Sequence, residues 1–521
     1  MSIVSPTAVP EPQQKRWLIL GLTLAVAIVV VVAAQKPVLL LGVALSVPAA
    51  WVALVRPDLY TLAVMGLLYT NVAVVAVRFH GAPMAAAIMV PLLLAIPVAH
   101  RWVFRRQPIV IDRVFQLLVC FLLAQLIATV FSEDRAVSLR DVFETASEGL
   151  VLYLLVFNAV RTTQVLRHVV WVLLLAGAAI GALCFFQHVT KTYDRNYGGF
   201  AQIEESPGFR TRATDLQGEV RQRRLSGPIG SQNRLAQVLL MLVPLGMFRF
   251  WGERSGPLRA MALFATALVA LGLMLTFSRG AAVAFMLMVA VMVVLRYISV
   301  RQCLAVVAGA CLLLAMLPQY VTRMASLRAL LEAAQNEEAG IAAADGSLRS
   351  RLAEAMSAVL MFAEHPLTGV GPGMYPYHYQ HYAEIVGTEI QGVKVKGELR
   401  QPHMLYLGVA AELGLPGLVV FVCLATTVLV RLERARRASL RAGRSDLALL
   451  AAGFLLAMVV YLGTGLFLHL SYVRYFWLMT ALASAASSVV AGELSALGSI
   501  PNGASLWDRS RSHHELCHAG S

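Results

Sequence analysis

The sequence predicts an all-α polytopic membrane protein with about 12–14 transmembrane helices, two long periplasmic loops and an amphipathic interfacial helix in the second loop. Of its 521 residues, 58% are hydrophobic and only 14% are charged, and the mean hydropathy is +0.70. A soluble protein of this length cannot bury so much apolar surface. Apolar runs that match the thickness of a bilayer recur along most of the chain.

Fourteen apolar segments are candidate membrane helices. They cover approximately residues 17–34, 37–55, 59–77, 83–99, 114–131, 143–160, 168–187, 235–250, 258–277, 280–296, 303–318, 403–430, 447–468 and 474–491. The predicted organisation is a cytoplasmic tail (1–16), N-terminal helices (17–187), a first periplasmic loop (188–234), central helices (235–318), a large periplasmic loop (319–402), C-terminal helices (403–491) and a cytoplasmic tail (492–521).

Basic residues in the short loops predict the orientation, because cytoplasmic loops of membrane proteins are enriched in lysine and arginine. Arginines cluster after the fourth, sixth, eighth, tenth and twelfth segments, and these loops share one side if the helices alternate. That side is predicted to be the cytoplasm, which places both long loops in the periplasm. The net charge of +14 therefore indicates topology and contact with anionic membrane lipids. It does not indicate nucleic-acid binding.

The first long loop ends in Arg224, a Gly-Pro turn and Asn233. Glycine and proline predict tight turns, and Asn233 is a candidate N-cap of the following helix. A loop of this kind can present arginines and backbone N–H groups to an anion. The spacing alone leaves an anion site and an ordinary exposed loop both open.

Charged residues at membrane helices are further candidates. Arg279 lies in Ser278-Arg279-Gly280, a short turn on the predicted periplasmic side, where arginine is disfavoured. It therefore either binds a partner or extends to the lipid headgroups. Glu144 and Glu148, four residues apart in the sixth segment, face a cavity or partner or lie at the membrane surface.

The second long loop contains an apolar stripe at helical spacing, which predicts a helix lying on the bilayer. Its members are Leu348, Leu352, Met356, Val359 and Phe362. Arg351 lies beside the stripe, and Pro366 ends the helix. Gly369, Gly371 and Gly373 then permit a backbone turn that side chains would block. The strand that precedes a dinucleotide-binding turn is absent from the sequence pattern, so a nucleotide cradle is excluded.

The chain returns to the membrane at His403. Histidine exchanges a proton near neutral pH and is a candidate general base at an aqueous helix entrance. The alternative is an interfacial histidine without a chemical role. The preceding tyrosines, Tyr375, Tyr377, Tyr379 and Tyr382, are expected to be membrane-surface anchors.

Together these residues resemble the O-antigen ligase and polymerase (Wzy-type) family of bacterial inner-membrane enzymes. The matching features are Arg224-Leu-Ser-Gly-Pro with Asn233, the Ser-Arg-Gly turn at Arg279, an arginine fifteen residues before Pro366, His403 with Tyr406, and Glu412-Leu-Gly-Leu-Pro-Gly417. They extend over roughly residues 224–418.

The resemblance implies transfer of a glycan from an undecaprenyl-diphosphate carrier to an acceptor hydroxyl, without a metal or another cofactor. It implies that Arg279 and Arg351 bind the diphosphate and that His403 serves the acceptor. The family often has tryptophan where this chain has Ala355, so Arg349 is the alternative to Arg351. The further residues expected at the substrates are Arg224, Asn233, Tyr406 and Gly371.

The sequence thus predicts a metal-independent, inverting glycosyltransferase of the inner membrane with its active site facing the periplasm. A polymerase of O-antigen or exopolysaccharide is favoured, because the outer loops are long enough for two glycans. A ligase that transfers glycan to lipid A core, a protein-glycosylating transferase and a lipid-linked glycan transporter remain alternatives. Expected partners are the lipid-linked glycan, the acceptor glycan or lipid A core, membrane lipids and a chain-length regulator, but no nucleic acid.

Overall fold

The computed structural model of the chain describes residues 55–205, 223–304, 308–309, 346–387, 399–468 and 473–498. The predicted tail 1–16, the predicted helix 17–34, nearly all of 37–55 and most of 303–318 lie outside these residues. Most of the C-terminal tail, from residue 499 onwards, lies outside them as well.

The described residues form a helical bundle. Its first half contains α1 (Pro57–Tyr69), α2 (Val72–His80), α3 (Met84–Leu92), α4 (Ala95–Val103), α5 (Arg113–Val130), α6 (Arg135–Glu144), a π-helical stretch (Thr145–Val151), α7 (Leu152–Ala159) and α8 (Thr163–Val189). The second half contains α9 (Gln232–Gly252), α10 (Gly256–Met274), α11 (Arg279–Val294), α12 (Gly346–Glu364), α13 (Tyr375–Gly387), α14 (Leu405–Arg441), α15 (Ser445–Thr464) and α16 (Val473–Gly498).

The prediction of an all-α polytopic membrane protein is confirmed. Among the described residues, nine helices are long and apolar enough to cross a membrane, and the bent pair α1 and α2 is a further span if counted as one. Residues 279–294 form a shorter apolar helix, α11. Each predicted segment that lies within the described residues corresponds to one of these helices or helix pairs.

Helix starts follow from local capping. The Asp112 carboxylate accepts a hydrogen bond of 3.0 Å from the Phe115 N–H at the start of α5. At the start of α6, the Asp134 carboxylate accepts a hydrogen bond of 2.9 Å from the Ala136 N–H. A side-chain oxygen at this position satisfies an N–H group that has no partner within the helix, so these residues define where both helices begin.

Helices α9, α15 and α16 form the centre of the bundle. In the most apolar window of α15, 83% of the residues are buried, against 22% for α10 at the periphery. Helices α8 and α10 cross closely because glycines face one another: a Cβ on Gly272 would lie 2.6 Å from the Gly181 Cα. Small residues permit this backbone approach in membrane helices, where packing supplies much of the association energy.

Charged residues at one end of the bundle join the loops that were predicted to be cytoplasmic. Arg101 pairs with Asp58 at 2.8 Å, and Arg167 pairs with Asp446 at 2.7 Å. Arg444 reaches Glu493 at 2.8 Å. We call this end, defined by these ion pairs, the basic end. At the opposite end, called the loop end, Asn71 donates to the Pro228 carbonyl at 3.0 Å and His80 contacts the Gly198 carbonyl at 2.8 Å.

The first long loop contains a β-hairpin that the sequence analysis did not predict. Strands β1 (Gln202–Glu205) and β2 (Arg223–Gly227) pair antiparallel, with Ile203 opposite Leu225. Leu225 is buried in the helical core and Ile203 packs against the same core, so the hairpin is anchored to the loop end by apolar side chains of both strands. The chain between the strands, residues 206–222, lies outside the described part.

Two local predictions are wrong. Helix α9 begins at Gln232, so Ser231 occupies the N-cap position and Asn233 lies inside the helix. Tyr375, Tyr379 and Tyr382 are not surface anchors but are buried in a small core between α12 and α13. Their side chains pack there with Val370 and Ala411, which lie in the glycine-rich turn and in α14. The remaining tyrosine, Tyr377, is exposed as expected.

Candidate functional site

Helix α12 has one face towards the protein and one away from it. Leu352 and Val359, from the predicted apolar stripe, are 39% and 49% exposed. The opposite face carries Glu354 and Ser357, which are buried. This arrangement suits a helix whose apolar stripe contacts lipid, and it turns the polar residues of the same helix towards the bundle.

The carboxylate of Glu354 contacts the imidazole of His403. Oε2 of Glu354 lies 2.6 Å from Nδ1 of His403, and the glutamate side chain is 3% exposed. Its other oxygen, Oε1, lies 3.5 Å from Nη1 of Arg400. A carboxylate accepts hydrogen bonds, so Nδ1 of the neutral imidazole carries the proton and Nε2 carries the lone pair. The pair therefore selects the tautomer of His403.

Tyr375 supports Glu354 from α13. Its hydroxyl donates to the main-chain carbonyl of Glu354 at 2.6 Å. Burial raises the pKa of Tyr375 well above its usual range, and the Glu354 carboxylate raises it further. The phenol therefore remains a neutral hydrogen-bond donor, and it fixes the backbone of α12 at the position of the acid.

The turn after α15 positions His403. The Leu405 N–H donates to the Gly465 carbonyl at 2.8 Å, and the Tyr406 hydroxyl donates to the Leu462 carbonyl at 2.8 Å. These two bonds hold the first turn of α14 against the end of α15. Tyr406, predicted to bind substrate, thus has a structural contact at the second residue of the helix.

Arg224 holds the Ser-Arg-Gly turn. Its Nε donates to the Thr276 carbonyl at 2.9 Å, and its Nη2 donates to the Phe277 carbonyl at 3.2 Å. Phe277 has a positive φ of 52°, a conformation that a non-glycine residue adopts only under constraint. The buried guanidinium satisfies the carbonyls of this strained turn and so sets where Arg279 begins α11.

Asn233 also contacts the Arg224 guanidinium. Its Oδ1 accepts from Nη2 of Arg224 at 3.3 Å. Two residues that the sequence analysis assigned to substrate therefore contact each other, and the geometry gives both a role in positioning the turn. Arg279 itself is half-buried at the first position of α11.

The turn that follows α15 contacts both the Ser-Arg-Gly turn and the start of α14, two residues after His403. A Cβ on Gly280 would lie 3.0 Å from the Cβ of Phe467, while Gly465 binds the backbone of Leu405. Residues 464–468 thus connect the two predicted catalytic regions. Arg351 is three residues from Glu354 on α12, a spacing at which side chains share a helix face, and it is half-buried.

The glycine-rich turn packs against the break in α14. The Gly371 N–H donates to the Glu412 carbonyl at 3.0 Å, and the Leu415 N–H donates to the Pro366 carbonyl at 2.7 Å. Gly414 interrupts the helix with φ of 65° and ψ of −167°. The two glycine motifs therefore form one structural unit, and the Gly371 N–H already binds protein. A role of Gly371 in contacting substrate stays a prediction.

Some functional candidates were missed. Glu354 carried a weak signal, an acid three residues after Arg351, but nothing in the pattern linked it to a histidine in another segment. Arg474 forms an ion pair with Glu148, which supplies the partner expected of an intramembrane carboxylate. Arg349 lies in the first turn of α12, and its side chain lies outside the described residues.

A protein-family sequence model matches part of the chain. The sequence model described as O-Antigen ligase matches residues 264–422. The matched region includes Arg279, α12, the glycine-rich turn, His403 and the break in α14. No curated protein matches the chain. The family match supports assignment to the O-antigen ligase and polymerase family and, in general terms, an activity of that type.

Proposed function

We propose that this chain, assigned to the O-antigen ligase and polymerase family, is a glycosyltransferase that uses an undecaprenyl-diphosphate-linked glycan. The observation that carries the proposal is the contact of 2.6 Å between Glu354 and His403. This contact joins His403, the candidate general base, to helix α12. The same helix carries Arg351, one of the two residues predicted to bind the diphosphate. The other predicted ligand, Arg279, begins α11, and the next residue, Gly280, lies against Phe467 in the turn that follows α15.

His403 acts as the general base in this proposal. A sugar hydroxyl is a poor nucleophile until a base accepts its proton. With Nδ1 donating to Glu354, the lone pair of Nε2 accepts that proton. The buried carboxylate then stabilises the imidazolium that forms, because an ionised hydrogen-bond partner strengthens the contact.

Arg279 and Arg351 bind the diphosphate of the donor. Guanidinium groups stay charged and bind phosphate oxygens through paired N–H donors. Negative charge develops on the bridging oxygen as it leaves the sugar, and fixed positive groups stabilise that transition state. The same two charges supply what a divalent metal supplies in other transferases, so the proposal needs no metal.

The step is a direct displacement. The acceptor oxygen forms a bond to the anomeric carbon, and the bond between that carbon and the phosphate oxygen breaks. The hydroxyl proton moves to Nε2 of His403, and undecaprenyl diphosphate leaves with the electron pair. Attack opposite the leaving group inverts the anomeric configuration.

The loop end is proposed to face the periplasm. The predicted cytoplasmic arginines meet at the basic end, while the Ser-Arg-Gly turn lies beside the hairpin of the first long loop through Arg224. The positive-inside rule then assigns the basic end to the cytoplasm. This orientation suits a bacterial inner-membrane enzyme whose lipid-linked donor is presented on the outer leaflet.

The acceptor distinguishes the members of this reaction class. A polymerase transfers the growing glycan to another lipid-linked repeat unit, and a ligase transfers it to lipid A core. We favour the polymerase, because the two long loops provide room for two extended glycans.

Purified protein in nanodiscs, incubated with an undecaprenyl-diphosphate glycan and EDTA, tests the proposal. A ladder of regular increments on a gel is expected without any other acceptor. Transfer only after addition of a lipid A core acceptor identifies a ligase. An intact donor that yields no product under either condition contradicts the enzymatic proposal and supports a transporter.

A further inference from the structure

A cavity of about 520 Å³ opens at the basic end of the bundle. It lies between the start of α8, the end of α9 and the start of α15. This position is at the opposite end of the bundle from His403, and the proposed glycan transfer gives it no role.

Arginines dominate the charged lining of this cavity. Four arginines and two carboxylates line it, an excess of two positive charges: Arg167, Arg249, Arg254, Arg444, Glu253 and Asp446. Three of the arginines are held in place by the carboxylates. Arg167 and Arg444 both bind Asp446, and Arg249 binds Glu253.

One arginine of the cavity lining has side-chain N–H groups that no described residue uses. The Arg254 side chain is exposed and forms no hydrogen bond or ion pair with a described residue. The Nε of Arg249 is buried and has no hydrogen-bond partner among the described residues. This atom is closed off from solvent, so the donors that an anion in the cavity can contact are those of the exposed Arg254 side chain.

The inner wall of the cavity is apolar. Val170, Leu245, Phe248 and Leu449 line it below the arginines. The guanidinium of Arg249 also lies 5.2 Å from the ring of Trp171, and tryptophan is enriched where a helix meets the membrane surface. A charged mouth above an apolar wall matches a molecule with a phosphate at one end and hydrocarbon at the other.

We propose that this cavity binds the phosphodiester headgroup of an anionic phospholipid, with the start of its acyl chains against the apolar wall. Basic pockets between membrane helices bind such headgroups. Free phosphate has the same charged group but gains nothing from the apolar wall. The inference stands independently of the proposed glycosyltransferase activity.

Native mass spectrometry of the full chain tests this proposal. The purified protein is titrated with phosphatidylglycerol and, separately, with phosphatidylethanolamine, whose headgroup has no net charge. We expect tighter binding of phosphatidylglycerol. Arg254→Gln should weaken that binding about fivefold, and Arg254→Glu further, as the loss of one arginine near a lipid surface implies.

Arg259→Glu is the matched control. Arg259 is exposed, lies five residues further along the chain, packs at 4.5 Å over the Phe250 ring and does not line the cavity. It should retain the wild-type affinity. Equal binding of the two lipids to the wild-type protein would overturn the proposal, as would an equal loss in the Arg254 and Arg259 variants. Displacement of phosphatidylglycerol by millimolar inorganic phosphate would identify free phosphate as the ligand instead.

Discussion

Glu354 and His403 are 49 positions apart in the chain, yet Oε2 of the acid lies 2.6 Å from Nδ1 of the imidazole. The acid is buried, so water competes little for this contact. Burying a carboxylate is costly unless it is paired, and His403 and Arg400 supply the pairing. This relationship joins the second long loop to the start of α14.

Replacing Glu354 by glutamine should lower the turnover number and leave the KM for the donor nearly unchanged. The amide still fills the site, but it no longer stabilises a charged imidazole. Loss of a hydrogen bond to a charged group, about 1.5–3 kcal/mol, corresponds to about a 10- to 100-fold decrease. Steady-state kinetics of purified Glu354→Gln checks this. Glu384→Gln, an exposed acid on α13, should behave as wild type, and a wild-type turnover number for Glu354→Gln would refute the positioning role.

Arg279→Lys should raise the KM for the lipid-linked donor. Lysine keeps the positive charge but loses the paired donors that bind two phosphate oxygens at once. We expect kcat/KM for the donor to fall about 10- to 100-fold, the loss of one or two charge-assisted bonds. Arg296→Lys, just beyond the other end of α11, is the control. Equal kinetics for the two variants would show that Arg279 does not bind the diphosphate.

Arg224→Lys should destabilise the protein as well as slow transfer. Lysine lacks the planar fork whose separate nitrogens bond the Thr276 and Phe277 carbonyls, and a buried carbonyl without a donor costs about 1–3 kcal/mol. A lower melting temperature in detergent, together with reduced activity, is expected. Asn233→Ala removes only the bond of 3.3 Å to the same guanidinium and should have a smaller effect. An unchanged melting temperature for Arg224→Lys would contradict the claim that the Arg224 guanidinium stabilises this turn.

Gly371→Ala should prevent normal accumulation in the membrane. Gly371 has φ of 107°, and an added Cβ would lie 2.6 Å from the Cβ of Ser132. Gly443→Ala is the matched control, because Gly443 has a positive φ of 69° but nothing within 4 Å of an added Cβ. Immunoblots of membrane fractions should show a large loss for the first variant and near-normal levels for the second. Adding Ser132→Gly should restore part of the loss, and similar levels for both single variants would exclude the steric explanation.

Most of the fold could be predicted from the sequence because the membrane requires long apolar segments. The helices from α5 to α11 and from α14 to α16 match the predicted segments, whereas α13 was not predicted. The arginine pattern grouped the loops of the basic end on one side of the membrane. The hairpin of the first long loop escaped prediction. Its strands have only four and five residues, and they pair across the intervening residues 206–222.

The sequence supplies candidate residues for the site but not the contacts between them. Arg279 and His403 were identified by motif, but motifs do not reveal which side chains touch. The pairing of His403 with Glu354 depends on how α12 docks against α14, a tertiary contact without a local signal. The contacts of Arg224 with Asn233 and with the carbonyls of Thr276 and Phe277 had no local signal either, and a role of the two side chains at the substrate stays a prediction.

The release of undecaprenyl diphosphate by purified His403→Ala protein tests the central claim most directly. Loss of a general base should reduce the rate by about 10²- to 10⁴-fold relative to wild type, with an unchanged melting temperature. His381→Ala, an exposed histidine on α13, should retain the wild-type rate. Release at the wild-type rate by correctly folded His403→Ala would contradict the proposal that His403 accepts the acceptor proton.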